Sequence, residues 1–294
     1  MKRTLLATAL ILCTALPGTA RAEAGGDPLA ATRADMEATL GAVPSFFSAF
    51  PPAALPGAWQ TFKALQLSGT TALTGKEKEL IGLGVAAQVP CDYCIYAHTA
   101  AARAHGASDA EIAEAVAMAA LTRQWSTVLN GSLADEAEFR AWTDAAFAHA
   151  ARVPADSQPI AVVDADSALR EAARIMGTPP SFLTALPAAT LPGAWQELAG
   201  LQLNPATALP GYLKELIGLG VAAQVPCRYC SYAHTQAAKL GGATDQQVQE
   251  ALAMAALTRH WSTWINGMAI DRATFRREFD AILRHGAEAA AGSK

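Results

Sequence analysis

The chain has 294 residues, of which 52% are hydrophobic, and its formal net charge at pH 7 is −4. This length and apolar content allow a large core and favour two domains of ordinary size, which excludes an intrinsically disordered chain. The acidic balance lacks the basic footprint of nucleic-acid-binding proteins, so we expect no nucleic-acid partner.

The first 22 residues differ in character from the rest of the chain. Two basic residues precede the apolar run LLATALILCTAL, and small residues follow around Ala22. This order is typical of a secretory signal peptide, so we predict that residues 1–22 are removed and that the protein is exported to a bacterial periplasm or secreted. A lipid-modified Cys13 is an alternative, but bulky Leu12 stands where a small residue is expected. No later segment stays apolar for 18 residues, so we expect no membrane partner after cleavage.

The rest of the chain contains an internal repeat, in which the second copy follows the first at a constant offset of 136 residues. Cys91 corresponds to Cys227, for example, with no insertion or deletion across the unit. A period this long indicates duplicated domains rather than a solenoid of short repeats. We predict one domain at residues 23–153, a linker with two prolines at residues 154–169, and a second domain at residues 170–294.

The first two predicted elements of each unit are helices on either side of a proline. The segment LTGKEKELIGLGVAAQV has apolar residues at helical spacing and ends at Pro90. Pro90 also suits the first turn of the next helix, which is predicted from Cys91 to about His105. Gly106 is expected to end that helix.

Two more helices complete the unit. Ser108 and Glu111 form a capping box before an alanine-rich helix that ends near Gly131, and the second repeat has the equivalent box TDQQ. A last helix is predicted over DEAEFRAWTDAAFAHA. Since no segment shows the alternation typical of a strand, the predicted fold is all-α.

The motif VPCDYCIYAHT of the first repeat, which is VPCRYCSYAHT in the second, contains the chemically reactive residues. Cys91, Cys94 and His98 share one helix face, so both a disulfide and a thiol–imidazole contact are possible. A thiol at a helix N-terminus has a lowered pKa, and a nearby histidine can accept its proton. Glu79, in the preceding helix, would orient His98 if the two helices pack side by side. The equivalent residues of the second repeat are Glu215, Cys227, Cys230 and His234.

The same residues allow other interpretations. A Cys-x-x-Cys pair in an exported protein also occurs as a purely structural disulfide. Two cysteines and a histidine occur as zinc ligands, but this pair lies in a helix and has no evident fourth ligand, so we predict no metal. Covalent haem needs a histidine where Ile95 and Ser231 stand, and no other cofactor is predicted. We interpret Tyr93 and Tyr96 as packing residues with tethered hydroxyl groups, and Trp125 as a core residue.

The spacing of these residues resembles the Glu-x11-Cys-x2-Cys-x3-His signature of the alkylhydroperoxidase AhpD-like branch of the carboxymuconolactone decarboxylase superfamily. The capping box and alanine-rich helix downstream also look like that family, and the resemblance covers most of each repeat. It implies two tandem all-helical domains that reduce a hydroperoxide substrate through a Cys-x-x-Cys dithiol and a Glu–His proton relay. It also implies an unknown dithiol or protein reductant, and a homo-oligomer in which three two-domain chains imitate a hexamer of single domains.

The resemblance implies a role for each residue of the signature. In the first repeat Cys94 would be the relay-activated thiol, Cys91 its disulfide partner, His98 the base, and Glu79 the residue that holds and polarises the base. In the second repeat the same roles fall, in the same order, on Cys230, Cys227, His234 and Glu215. The chain departs from the family at the position between the cysteines, where the family pattern can have a histidine and this chain has Tyr93 and Tyr229.

These features favour a thiol-dependent peroxidase or thiol–disulfide oxidoreductase. A lactone decarboxylase is the alternative from another enzyme class, although its typical members lack the cysteine pair. A non-catalytic domain braced by disulfides is the third.

The two motifs differ in charge at one position, which is Asp92 in the first repeat and Arg228 in the second. A carboxylate raises and a guanidinium lowers the pKa of a neighbouring thiol, so we expect the second site to titrate about one pKa unit lower.

Overall fold

The computed structural model describes residues 27–154 and 156–292. The predicted signal peptide, residues 1–22, therefore lies outside the described residues. The described residues form helices, turns and loops without any strand, and the predicted all-α fold is confirmed. None of these helices combines the length and apolar character needed to cross a membrane.

The first repeat contains seven helices among the described residues. They are α1 (Pro28–Leu40), α2 (Ser45–Ser48), α3 (Leu55–Leu65), α4 (Gly75–Gln88), α5 (Asp92–Ala104), α6 (Asp109–Gly131) and α7 (Glu136–Ala150). The second repeat contains α8 (Ala165–Met176), two short 3₁₀ helices (Ser181–Ala185 and Ala188–Thr190), α9 (Leu191–Leu201), α10 (Gly211–Gln224), α11 (Arg228–Leu240), α12 (Asp245–Gly267) and α13 (Arg272–Gly292). The predicted linker, residues 154–169, overlaps the start of α8, and the predicted domain boundaries stay predictions.

The helix boundaries follow from local sequence. Both predicted capping boxes are present, and in the first Ser108 accepts from the backbone N–H of Glu111 while Glu111 accepts from that of Ser108. Gly106 has a φ of +82°, which suits the turn after α5. One detail differs from the prediction: Cys91 is the N-cap of α5 and not its first helical residue, because its backbone is extended (φ −105°, ψ 99°).

Four long helices, α4, α6, α10 and α12, pack together across the repeat boundary and form the centre of the molecule. Glycine permits close contact between α4 and α10, since a Cβ on Gly84 of α4 would lie 2.8 Å from Cγ2 of Ile217 of α10. Both helices are almost completely buried. The hydrophobic core is therefore shared by the two repeats.

The last helix of each repeat covers the cysteine-bearing helix of the other repeat. Helix α7 packs against α11, and α13 packs against α5. Tyr93 donates to the carbonyl of Ile270 at 2.6 Å, and Tyr229 donates to that of Ala134 at the same distance. These contacts agree with the interpretation of Tyr93 as a packing residue with a tethered hydroxyl, and they interlock the repeats.

Candidate active site

Each predicted cysteine pair forms a disulfide at the N-terminus of a partly buried helix. Cys91 pairs with Cys94 and Cys227 with Cys230, with a Cα–Cα distance of 5.3 Å in both. The N–H of Cys94 points at Sγ of Cys91, 3.2 Å away, and the second pair repeats this contact. In the reduced state, the same N–H and the helix dipole would favour negative charge on the N-cap sulfur. Within residues 27–154 and 156–292, no three His, Cys, Asp or Glu side chains are grouped as metal ligands.

The predicted glutamate and histidine of each repeat are in contact and buried. Nδ1 of His98 lies 2.7 Å from Oε2 of Glu79, and Nδ1 of His234 lies 2.6 Å from Oε2 of Glu215. The contact forms because α4 and α5, like α10 and α11, pack side by side. A carboxylate at Nδ1 favours a proton on that nitrogen, which leaves Nε2 as the proton acceptor. The structure thus pairs Glu79 with His98 and Glu215 with His234, each beside the helix that begins at a cysteine pair.

A glutamine that sequence reasoning missed fixes the orientation of each carboxylate. Nε2 of Gln66 donates to Oε1 of Glu79 at 3.1 Å. In the second repeat Gln202 donates to both carboxylate oxygens of Glu215, at 3.0 and 3.2 Å. Each carboxylate therefore has a donor on either side, which holds it toward the imidazole.

Each histidine is completed by a threonine from the other repeat. Oγ1 of Thr258 lies 3.2 Å from Nε2 of His98, and Oγ1 of Thr122 lies 3.2 Å from Nε2 of His234. Both hydroxyl groups are buried. The two sites are therefore composite, and neither repeat forms one alone. Sequence reasoning missed these threonines, although the nearly unchanged segments ALTRQWST and ALTRHWST were an available signal.

Glycine makes room for each imidazole. A Cβ on Gly82 would lie 2.4 Å from Cε1 of His98, and Gly218 stands in the same relation to His234. No side chain fits at that separation without moving the ring. The signal in the sequence was the stretch ELIGLGVAAQVPC, which is identical in the two repeats.

A fully buried lysine fastens the loop that carries each glutamine. Nζ of Lys78 donates to the carbonyls of Leu65 and Ser68, at 2.8 and 2.6 Å, and to Oγ1 of Thr71 at 3.0 Å. Burial lowers the pKa of Lys78, and that of Lys214 in the second repeat. Because Leu65 directly precedes Gln66, this lysine supports the placement of the glutamine beside Glu79.

The second site opens into an apolar cavity of about 170 Å³ between the repeats. Its lining includes Cys230, His234, Glu215 and Thr122, but no lysine or arginine. Trp125, interpreted from the sequence as a core residue, also lines the cavity. The two cysteines face different spaces, since Cys227 lines a separate shallow depression on the surface.

The charges beside the two motifs are paired with opposite charges from the other repeat. Nη1 of Arg272 lies 2.6 Å from Oδ2 of Asp92, and Nη1 of Arg228 lies 3.6 Å from Oε2 of Glu136. Positions 92 and 228 are equivalent, as are 136 and 272, so the pair is reversed between the sites. Each partner reduces the charge difference on which the predicted pKa gap depends.

Comparison with known proteins identifies the family of the chain. Residues 53–137 and 189–273 each match the model of the carboxymuconolactone decarboxylase family. These segments contain both Glu–Cys–Cys–His groups and both threonines. No curated protein and no solved structure matches the chain. The chain belongs to the carboxymuconolactone decarboxylase family, with two copies of the family's domain in one polypeptide.

Proposed function

We propose that the protein is a thiol-dependent peroxidase that reduces hydroperoxides with its Cys-x-x-Cys dithiols. The observation that carries the proposal is that Cys230 lines one apolar cavity together with His234, whose Nδ1 is held by Glu215. A thiol, a base and a residue that orients the base are the parts needed to generate a reactive thiolate.

The reaction follows from this arrangement. Nε2 of His234 accepts the proton of the Cys230 thiol, and the thiolate sulfur attacks the hydroperoxide. An S–O bond forms, the O–O bond breaks, and the leaving alkoxide takes the proton from the imidazolium to give the alcohol. The Cys227 thiol then attacks the sulfenic sulfur, which releases water and forms the disulfide. The dithiol supplies two electrons, and an external dithiol or protein reductant restores it.

The cavity favours this reaction over lactone decarboxylation. A lactone that carries a carboxylate needs a cationic group to offset its charge in an apolar site. Among the residues that line the cavity, only His234 is able to become cationic. A hydroperoxide is neutral at pH 7 and needs no such partner.

The cellular setting is part of the proposal. We propose that the signal peptide directs the protein to the periplasm or the medium, where its disulfides persist until a donor reduces them. We also propose that the two-domain chains assemble as a trimer, as the resemblance to single-domain hexamers implies.

Peroxide consumption by the protein from Glu23 onward tests the function, with dithiothreitol and lipoamide as alternative reductants. We expect catalytic turnover that the double variant Cys94→Ser, Cys230→Ser abolishes. The matched control is Ser126→Ala, a buried change on α6 that spares every group of the proposed relay. Equal peroxide consumption by the wild type and the double cysteine variant, with each donor, would contradict the function.

A further inference from the structure

The cavity at the second site has an exposed rim and a reactive floor. Among the residues that line the cavity, Leu203 is 36% exposed to solvent, whereas Cys230 and His234 are each 5% exposed. Between them the wall is almost entirely apolar. A space of about 150 Å³ with such a lining holds one benzene ring, so about 170 Å³ suits an aryl group or a short branched alkyl group.

At the first site, phenylalanine rings crowd the tryptophan that corresponds to Trp125. Ring centroids within 6.1 Å of Trp261 belong to Phe46, Phe47, Phe50 and Phe62. Three of the four equivalent positions in the second repeat carry leucine, namely Leu183, Leu186 and Leu198. Leu198 lines the second cavity. At the first site the equivalent residue is the bulkier Phe62.

The helix that covers each site shows the same difference at two positions. Thr143 and Ala146 of α7 line the second cavity. Their equivalents on α13 are Phe279 and Ile282, and the ring of Phe279 stacks on Phe275 with centroids 6.1 Å apart. At these positions the first site carries the larger side chains, whereas Trp142 and Phe147 of α7 are larger than their equivalents Glu278 and Leu283.

A polar contact fixes the covering helix over the first site. Glu278 of α13 accepts from the backbone N–H and the hydroxyl of Ser45, at 3.0 and 2.8 Å. At the equivalent position α7 has Trp142, which lines the second cavity. The second site thus has an aromatic wall where the first has a carboxylate bound to α2.

From these differences we infer that the two sites divide the substrates by size. The second site binds hydroperoxides that carry one aryl or short branched alkyl group, and the first site accepts only peroxides as small as hydrogen peroxide. The inference rests on the proposed peroxidase function and extends it to the substrate class of each site. The residues that determine the difference are Leu198 and Thr143 at the second site, and Phe62 and Phe279 at the first.

Turnover tests the inference with one cysteine pair active at a time. Cys91→Ser with Cys94→Ser leaves the second pair, and Cys227→Ser with Cys230→Ser leaves the first. For each protein, kcat/KM is measured with cumene hydroperoxide and with hydrogen peroxide, with dithiothreitol as the reductant. We expect the cumene-to-hydrogen-peroxide ratio to be at least tenfold higher for the second pair.

Exchanging the wall residues gives the matched variants. Leu198→Phe with Thr143→Phe should lower the ratio of the second pair toward that of the first. Phe62→Leu with Phe279→Thr should raise the ratio of the first pair. This second variant tests the inference even if the filled variant, Leu198→Phe with Thr143→Phe, does not fold.

Direct binding separates failure of the inference from failure of the function. Titration calorimetry with 2-phenylpropan-2-ol, the product of cumene hydroperoxide, should show one site per chain that the filled variant loses. Equal ratios for the two pairs, or no binding of the alcohol, would overturn the inference and leave the peroxidase function standing. Binding of the alcohol without turnover of either peroxide would overturn the function, and the substrate assignment with it.

Discussion

Replacing Gly218 by alanine tests whether His234 must occupy its observed position. A Cβ on residue 218 would lie 2.4 Å from Cε1 and 2.6 Å from both ring nitrogens. The ring is held by Glu215 at 2.6 Å from Nδ1 and by Thr122 at 3.2 Å from Nε2. Favourable carbon–carbon contacts begin near ~3.5 Å, so the ring must move by about 1 Å. At least one of its two hydrogen bonds should then break.

The substitution should lower both stability and activity. Overpacking costs about 1–3 kcal/mol, and losing a hydrogen bond to a charged group costs about 1.5–3 kcal/mol. The higher helix propensity of alanine offsets about 1 kcal/mol. The net loss of unfolding free energy is then about 1.5–5 kcal/mol. A displaced general base lowers turnover by ~10²–10⁴-fold.

The assay is peroxide turnover by the second pair alone, in the Cys91→Ser, Cys94→Ser background. Gly211→Ala is the matched control, because it lies on the same helix and its Cβ would meet no atom within 4 Å. Thermal unfolding of both variants establishes that the fold persists. We expect Gly218→Ala to lose at least ~100-fold in kcat/KM and Gly211→Ala to stay within twofold of the parent.

Turnover by folded Gly218→Ala within twofold of Gly211→Ala would show that the position of His234 does not govern the thiol. The relay from Glu215 through His234 to Cys230 would then be wrong. An equal loss in both alanine variants would also refute the reasoning, since Gly211 has no neighbour to displace.

Three further predictions concern the threonine, an unusual tyrosine and the N-terminus. Thr122→Val should lower peroxide turnover at the second site by about fivefold, the kinetic equivalent of one neutral hydrogen bond, and leave turnover at the first site unchanged. Equal slowing of both single-pair proteins would contradict this. Burial and the hydrogen bond to Glu77 raise the pKa of Tyr212 to about 12, so its stabilising contribution is complete below about pH 10 and is lost as the pH rises toward 12. Denaturant unfolding should therefore show the advantage of the wild type over Tyr212→Phe shrinking across that range; a constant advantage would refute the shift. Mass spectrometry of exported protein should find Glu23 as the first residue, and a mass that includes Met1 would disprove cleavage there.

The sequence predicts those features of the fold that depend on local chemistry. The boxes at Ser108 and Thr244 mark helix starts because the side chain and the N–H groups it satisfies lie within one turn. The Glu–His contact was predicted only as a condition, that α4 and α5 pack side by side, and that condition holds. The position of Cys91 as an N-cap was missed because helix periodicity does not distinguish the cap from the first helical residue.

Contacts between the repeats could not be read from either copy alone. Thr258 reaches His98 because α12 lies against α4 and α5, a packing that no spacing within the first repeat encodes. The cavity depends on a sum of side-chain volumes from several helices, in which Leu198 in place of Phe62 matters only once its neighbours are known. An internal duplication nevertheless gives a usable signal, since identical positions in the two copies mark what both sites need, and differences mark where they diverge.

The ion pairs beside the two motifs change the expected difference in thiol pKa. Asp92 alone would raise the pKa of its neighbouring thiol, and Arg228 alone would lower it. Arg272 and Glu136 stand against them with the opposite charge, at 2.6 and 3.6 Å. A thiol beside such a pair experiences a dipole, whose field falls off faster than that of a single charge. The gap between the sites should therefore be well below the one unit expected from the motif alone.

Removing the partner charges should restore that gap. Arg272→Ala leaves Asp92 unopposed and should raise the alkylation pKa of the first pair. Glu136→Ala leaves both Arg228 and Arg140 unopposed, since both pair with Glu136, and should lower the alkylation pKa of the second pair. Both changes should be fractions of a pKa unit and should shrink at 1 M salt, because Asp92, Arg272 and Arg228 are largely exposed and Glu136 is partly exposed. The measurement is alkylation rate against pH for each single-pair protein at low and high salt. Unchanged pKa values at low salt would mean that burial and the Glu–His pair outweigh these charges, and that the reversed ion pairs serve only to hold each covering helix on its site.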